Sequence, residues 1–221
     1  KLVEHKWDIE QDLLFGAQHT DDEGVTYTQG AVDYVMGAGN IFSLDFSNKS
    51  SDDFLDDMCN YFDPRYNSQG ATVFMCDTQT YNWLHKMSGY GANNAGMVLP
   101  AQAYAAGASH NPSNDSLGRV DMSYVGGGKK YGVSINQLST PYGSMNLARN
   151  IHLDGSPIKI LAINMKYCKY RPLAGNGLNR DTTVYVGVQT LENSGVDRRV
   201  DLIQTEAGME WQMPEAHAIW K

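Results

Sequence analysis

The hydrophobic period of this chain changes once. Up to about residue 87, apolar side chains recur at helical intervals; from Val120 onward they alternate with polar ones as strands do. Helices in one block and strands in another argue for an α+β fold rather than an alternating α/β one.

In the first block, "KLVEHKWDIEQDLLFGA" sets Val3, Trp7 and Leu14 on one helical stripe, with Ile9 and Leu13 nearby and Gly16 as the stop. Trp7 is expected to be largely buried against the C-terminal strands. "TQGAVDYVMGAG" predicts a second short helix ending at glycines. In "SSDDFLDDMCNYFDP", Ser51 is the expected N-cap, and Asp52 and Asp53 suit the first turn. Phe54, Leu55, Met58, Cys59 and Phe62 make the expected buried face, and Pro64 the end. "ATVFMC", residues 71–76, has the length of a strand, and "DTQTYNWLHKM" after it reads as a capped helix with Trp83, Leu84 and Met87 inward.

The second block contains "YGVSINQLSTPYGSMNLARN", residues 131–150, two alternating runs around a Thr-Pro-Tyr-Gly turn. "IKILAIN", "DTTVYVGVQTLE" and "RRVDLIQTE" follow as strands, the last two joined at a hairpin signal, "ENSGVD". Residues 89–118 carry little periodicity, and a loop that long in a compact domain is usually functional.

Nothing in this pattern is organised for chemistry. The six histidines fall in no zinc-binding spacing, and Asp52, Asp53, Asp56 and Asp57 lie opposite an apolar helix face, so they read as a solvated face and no metal or other cofactor is assigned. "GGGKKYG", 126–132, lacks the earlier Gly and the Ser or Thr of a phosphate-binding loop, and a hairpin-like turn is expected there. There is no Gly-X-Ser-X-Gly elbow. Were the chain an enzyme, Asp77, His85 or His110 would be the acid–base candidates, beneath the 89–118 loop. Cys59, Cys76 and Cys168 are too few for a disulfide framework and are expected as buried thiols in a reducing compartment.

Charge narrows the partners. The formal net charge is −8; residues 1–110 carry 5 Lys and Arg against 15 Asp and Glu, and residues 111–221 carry 12 against 10. An acidic surface repels phosphate, so tight nucleic-acid binding is not expected. No apolar run reaches the roughly 20 residues of a membrane span, and the chain reads as soluble, with no membrane partner.

The order of "DIEQDLLFGA", "TQGAVDYV", "DDFLDDMCNYFD", "ATVFMCDTQTYNWLHKM", the 131–150 ribbon and the closing "RVDLIQTEAGMEWQMPEAHAIW" resembles the major capsid proteins of tailed phages, with the Hong Kong 97-type fold. The likeness spans nearly the whole chain and rests on the order of about six weak segments. It implies a spine helix at residues 1–15. Residues 1–44 and 166–221 would form a peripheral domain, with spine helix and peripheral sheet, and residues 45–165 an axial domain around each five- or six-fold axis. The family's N-terminal arm and extended loop precede the spine helix, so the resemblance implies that both are missing here.

The function so implied is structural and not enzymatic. The subunit would self-assemble into pentamers and hexamers of an icosahedral shell, in the host cytoplasm and then in the virion. It would enclose double-stranded DNA without binding it specifically, with scaffolding or decoration proteins as further partners. The assembly interface is expected at the stiff turn Thr140, Pro141, Tyr142 and Gly143. The alternatives are a small-molecule hydrolase, or a β-rich binding module, with its site under the 89–118 loop.

Overall fold

A computed structural model describes residues 1–67, 72–87, 123–130, 133–175, 177–189 and 195–221. Its first block holds α1 (Leu2–Phe15), β1 (His19–Thr20), β2 (Thr26–Tyr27), α2 (Ala31–Ala38), β3 (Asn40–Phe42), α3 (Ser51–Tyr61), β4 (Thr72–Cys76) and α4 (Thr78–Met87). The second holds β5 (Ser123–Lys130), β6 (Val133–Thr140), β7 (Gly143–Arg149), β8 (Ile160–Asn164), β9 (Cys168–Pro172), β10 (Ala174–Gly175), β11 (Leu178–Asn179), β12 (Thr183–Gln189), β13 (Val200–Gln204), β14 (Ala207–Trp211) and β15 (Ala218–Trp220). Among the described residues, four α-helices and mixed sheets make this an α+β protein, as the change of period implies. None of the described helices is long and apolar enough to cross a membrane.

The chain divides into two compact units, residues 1–37 with 167–212, and residues 38–166 with 213–221. These limits differ from the 44/45 and 165/166 boundaries read from the sequence. The reason is strand pairing: β3 and β15 join the large sheet of the second unit, taking both of their segments with them.

That sheet has seven strands in the order β3-β15-β8-β4-β7-β6-β5. Two pairs are parallel, β15 with β3 and β4 with β7; the others are antiparallel. One face of the sheet presents Phe74, Cys76, Met145, Leu147, Ile160, Ala162, Ala218 and Trp220 to Phe54, Met58 and Tyr61 of α3 and Leu84 of α4. Trp220 is fully buried, its ring 4.9 Å from Phe42, 5.8 Å from Tyr61 and 6.1 Å from both Phe54 and Phe74. Such pairs add about 0.5–1.5 kcal/mol each beyond area burial.

Local signals set the helices of this unit. A capping box opens α3: Ser50 Oγ accepts from the Asp53 amide, and Asp53 Oδ2 accepts from the Ser50 amide at 3.0 Å. The cap is therefore Ser50, one residue before the expected Ser51, because only Ser50 stands three residues ahead of a carboxylate able to reach back. Asp77 Oδ1 accepts from the Thr80 amide at 2.7 Å and Asp154 Oδ1 from the Thr78 amide at 2.7 Å, so α4 is capped twice. Cys59 is exposed, on the flank of α3 rather than its buried face; Cys76 is buried and Cys168 half-buried. The segment expected as a turn at 126–132 instead runs as strand through Lys130, Gly126 to Lys130 each pairing with β6. Main-chain hydrogen bonds need no side chain, so a glycine run can be strand when its neighbour supplies the edge.

The first unit contains α1 and β1–β2, β9–β14, β10–β11 and β12–β13 pairs. Gly16 ends α1 at φ −58° and ψ 142°, so it is not a left-handed cap. Its role is proximity: the Gly30 amide donates to Gly16 O at 2.7 Å, and a Cβ on Gly30 would stand 2.6 Å from Gly16 N. Farther on, Trp211 Nε1 donates to Gln29 O at 3.0 Å.

Trp7 is 52% exposed, against the expectation of burial. The inward stripe of α1 is His5, Ile9, Leu13 and Leu14, and His5 Nε2 lies 2.9 Å from Thr205 Oγ1. Trp7 lies two residues, about 200°, around the helix from Ile9. The 89–118 segment, with His110, falls outside the described residues.

Candidate assembly surface

The turn between β6 and β7 is built from two inward and two outward residues. Thr140 pairs with Gly143 across the turn, leaving Pro141 and Tyr142 at the tip. Two-residue hairpin loops favour mirror-image turns with positive φ, which proline cannot adopt. Closure here is assisted by Thr140, whose hydroxyl donates to Gly143 O at 2.6 Å and accepts from the Gly143 amide at 3.1 Å.

Gly143 does not serve the turn through a left-handed backbone, since its φ is not positive. What requires glycine is the ring of Phe62, since a Cβ at 143 would lie 3.2 Å from two of its carbons. Thr140 and Gly143 are buried, whereas Pro141 is exposed and Tyr142 is 42% exposed. Cys59 of α3, through the negative charge of its thiolate and then a side-chain hydrogen bond, holds the Tyr142 hydroxyl above its ordinary pKa. The tip of the hairpin and the flank of α3 thus share one patch of surface.

The two described acid–base candidates, Asp77 and His85, do not converge. Asp77 is buried at the start of α4, engaged by Thr80 and by Lys159 Nζ at 3.6 Å. His85 stands two turns later, about 12 Å along the axis at 1.5 Å per residue. Its ring packs edge-on to Tyr81 at 4.6 Å and approaches Asn136 Nδ2 at 3.3 Å, and burial lowers its pKa. A capping carboxylate and an edge-packed histidine on separate turns give no nucleophile–base geometry.

Among the described residues, no three His, Cys, Asp or Glu side chains are grouped to hold a metal. The aspartates of α3 have divided roles, which the sequence reading of one solvated face did not separate. Asp53 closes the capping box, and its pKa is lowered by the Ser50 amide and hydroxyl. Asp57 Oδ2 pairs with Lys49 Nζ and accepts from Trp220 Nε1 at 3.0 Å, with the Lys49 and Asp57 side chains 14% and 16% exposed. It anchors the central indole of the sheet unit.

A groove of about 450 Å³ in the first unit lies among α1, β1 and β2 and the Thr205–Ala207 stretch, lined by Ile9, Leu13, Thr28 and Tyr27. Its titratable lining residues are Asp12, His19 and Tyr27. In the same unit the β12–β13 ribbon exposes a run of apolar side chains that the sequence reading did not single out. The available signal was "TVYVGVQ", where nearly every position is apolar or β-branched, a pattern proper to strands covered on both faces.

No curated protein matches the chain. A family model described as the SU10 major capsid protein matches residues 1–221, and the chain belongs to that family of phage major capsid proteins.

Proposed function

We propose that this chain is the repeating subunit of an icosahedral shell of the Hong Kong 97 type, gathered into pentamers and hexamers around packaged double-stranded DNA. The family match over all 221 residues carries this reading. In it, the seven-stranded unit serves as the axial domain and the α1 unit as the peripheral domain. The hairpin tip Pro141–Tyr142, with Cys59 beside it, meets a neighbour around the symmetry axis. The net charge of −8 suits a wall along which DNA slides without adhering. Assembly takes place in the host cytoplasm, with scaffolding or decoration proteins as additional partners.

The test is negative-stain microscopy and sedimentation of the purified gene product, wild type and Tyr142→Asp. The wild type should form closed particles or rings of five and six. Tyr142→Asp should keep the fold and lose assembly, because tyrosine is a preferred interface side chain and a carboxylate buried in its place has no partner. A wild type that remains a small closed oligomer would sink the shell reading. A variant that assembles normally would remove the turn from the interface.

A further inference from the structure

Among the described residues, β12 and β13 form a two-stranded sheet by themselves. Val184, Tyr185, Val186 and Val188 of β12 and Val200 and Leu202 of β13 are all exposed, Val186 to 64%. Cross-strand register sets Tyr185 opposite Leu202 and Val184 opposite Ile203, so apolar residues occupy both faces. A lone two-stranded ribbon is marginal in water, and one with two apolar faces more so.

The ribbon is also deliberately shaped. Its register slips between Tyr185 and Gln189, and Gly187 at the slip has φ +72°. Asp201 Oδ1 accepts from the Gly187 amide at 2.7 Å, and Arg199 holds Asp201 through two nitrogens at 2.9 and 3.0 Å. A bulge re-aims side chains and spoils the strand edge for further pairing, so the ribbon offers its face rather than its edge. Its cations are engaged within the same unit: Arg199 with Asp201, Arg180 with Glu206 at 2.8 Å, and Arg198 Nη2 with Gln189 at 3.2 Å. A polyanion would have to displace those partners, whereas an uncharged apolar surface would not.

We propose that the apolar face of β12 centred on Val186 docks against a second copy of this chain. The proposal rests on the shell reading for the supply of copies, and it adds a contact in a different unit from the hairpin tip. The six exposed side chains are divided between the two faces, so the face centred on Val186 offers roughly 250 Å² of apolar surface, near the lower end of functional patches on monomers. That is short of the roughly 800 Å² per partner of a stable free-standing pair. The contact is therefore weak between two free subunits and effective where each subunit touches several neighbours at once.

The experiment uses the intact gene product with Val186→Asp and Val188→Asp together, far-ultraviolet circular dichroism and melting as fold controls, and particle yield by sedimentation. We expect a melting shift within about 2 °C, because the replaced side chains leave no cavity, and a fall in particle yield of about tenfold or more. Wild-type yield from the variant overturns the proposal. A second arm places the photo-cross-linking residue p-benzoylphenylalanine at position 186, which adds no charge and so guards against misfolding of the double variant. Irradiated particles should give covalent dimers of this chain, and dilute subunits should not. No cross-link, or a cross-link only to a different protein, also overturns it. If the wild type forms no particles at all, the shell reading fails first, and that outcome is distinct from failure of the ribbon alone.

Discussion

The seven-stranded unit and the α1 unit are made from similar residues that end in different places. In the former, Phe54, Met58, Phe74, Leu84 and Trp220 have no solvent exposure, and the aromatic rings meet one another. In the latter, Leu14 is the only buried residue of α1, and β12 and β13 run almost wholly exposed despite their valines. One unit completes its core internally. The other keeps apolar surface outward, which is a liability for a solitary protein and a resource for one that lives among copies of itself.

The sharpest way to break this contrast is Trp220→Ala, which should cost about 4 kcal/mol in denaturant unfolding, since it opens a cavity among four rings. A loss below about 1 kcal/mol would mean that the sheet unit does not depend on its aromatic centre. Next, Asp57→Ala should cost about 3 kcal/mol by leaving the Lys49 ammonium without its carboxylate, with Ser43 O at 2.7 Å still accepting from it, and by taking the acceptor from the Trp220 indole in a mostly buried place; the check is the unfolding midpoint, with Asp56→Ala, on the exposed flank, as the near-neutral control. Gly143→Val should cost about 2 kcal/mol by pressing on the Phe62 ring, and Tyr142→Asp, one residue away, should leave stability nearly unchanged. If the two behave alike, the division of that turn into inward and outward residues is wrong. Least of all, Trp7→Ala in the isolated subunit should change stability by under about 0.5 kcal/mol; its fluorescence should be that of a hydrated indole. A blue-shifted Trp7 emission appearing only on assembly would locate it in a contact.

The helices of the sheet unit were legible because their signals are local. Asp77 before α4 accepts from the Thr80 amide and Asp53 of α3 from the Ser50 amide, each three residues away, and the α3 cap lies one position before the Ser51 that the sequence pattern suggests. Trp7 was misread for a different reason. Periodicity finds the apolar stripes of a helix, but α1 has two candidates, and tertiary contacts with Thr205 select the one through His5 and Ile9. The hairpin turn was legible as a turn from Pro141, while the reason for Gly143 lay in Phe62, far away in sequence. Asp57 looked like its neighbours until Trp220, 163 residues later, proved to be its partner. The order of the seven strands was equally out of reach, since its central pairings are non-local.

The position of β15 has a temporal consequence. Residues 218–220 sit between β3 and β8, so the sheet has an interior gap until a strand that follows all its other strands in sequence has been synthesised. The Asn40 side chain, near the start of that gap, donates to the His217 carbonyl across 177 residues. Such a connection makes loop closure a late and slow step. A chain lacking residues 218–220 therefore exposes Phe42, Phe54 and Phe74 without their tryptophan, and this unit closes only once that strand is present. The strand latest in sequence among those of this sheet is thus the one that closes its interior, so a chain without it cannot present a finished subunit surface.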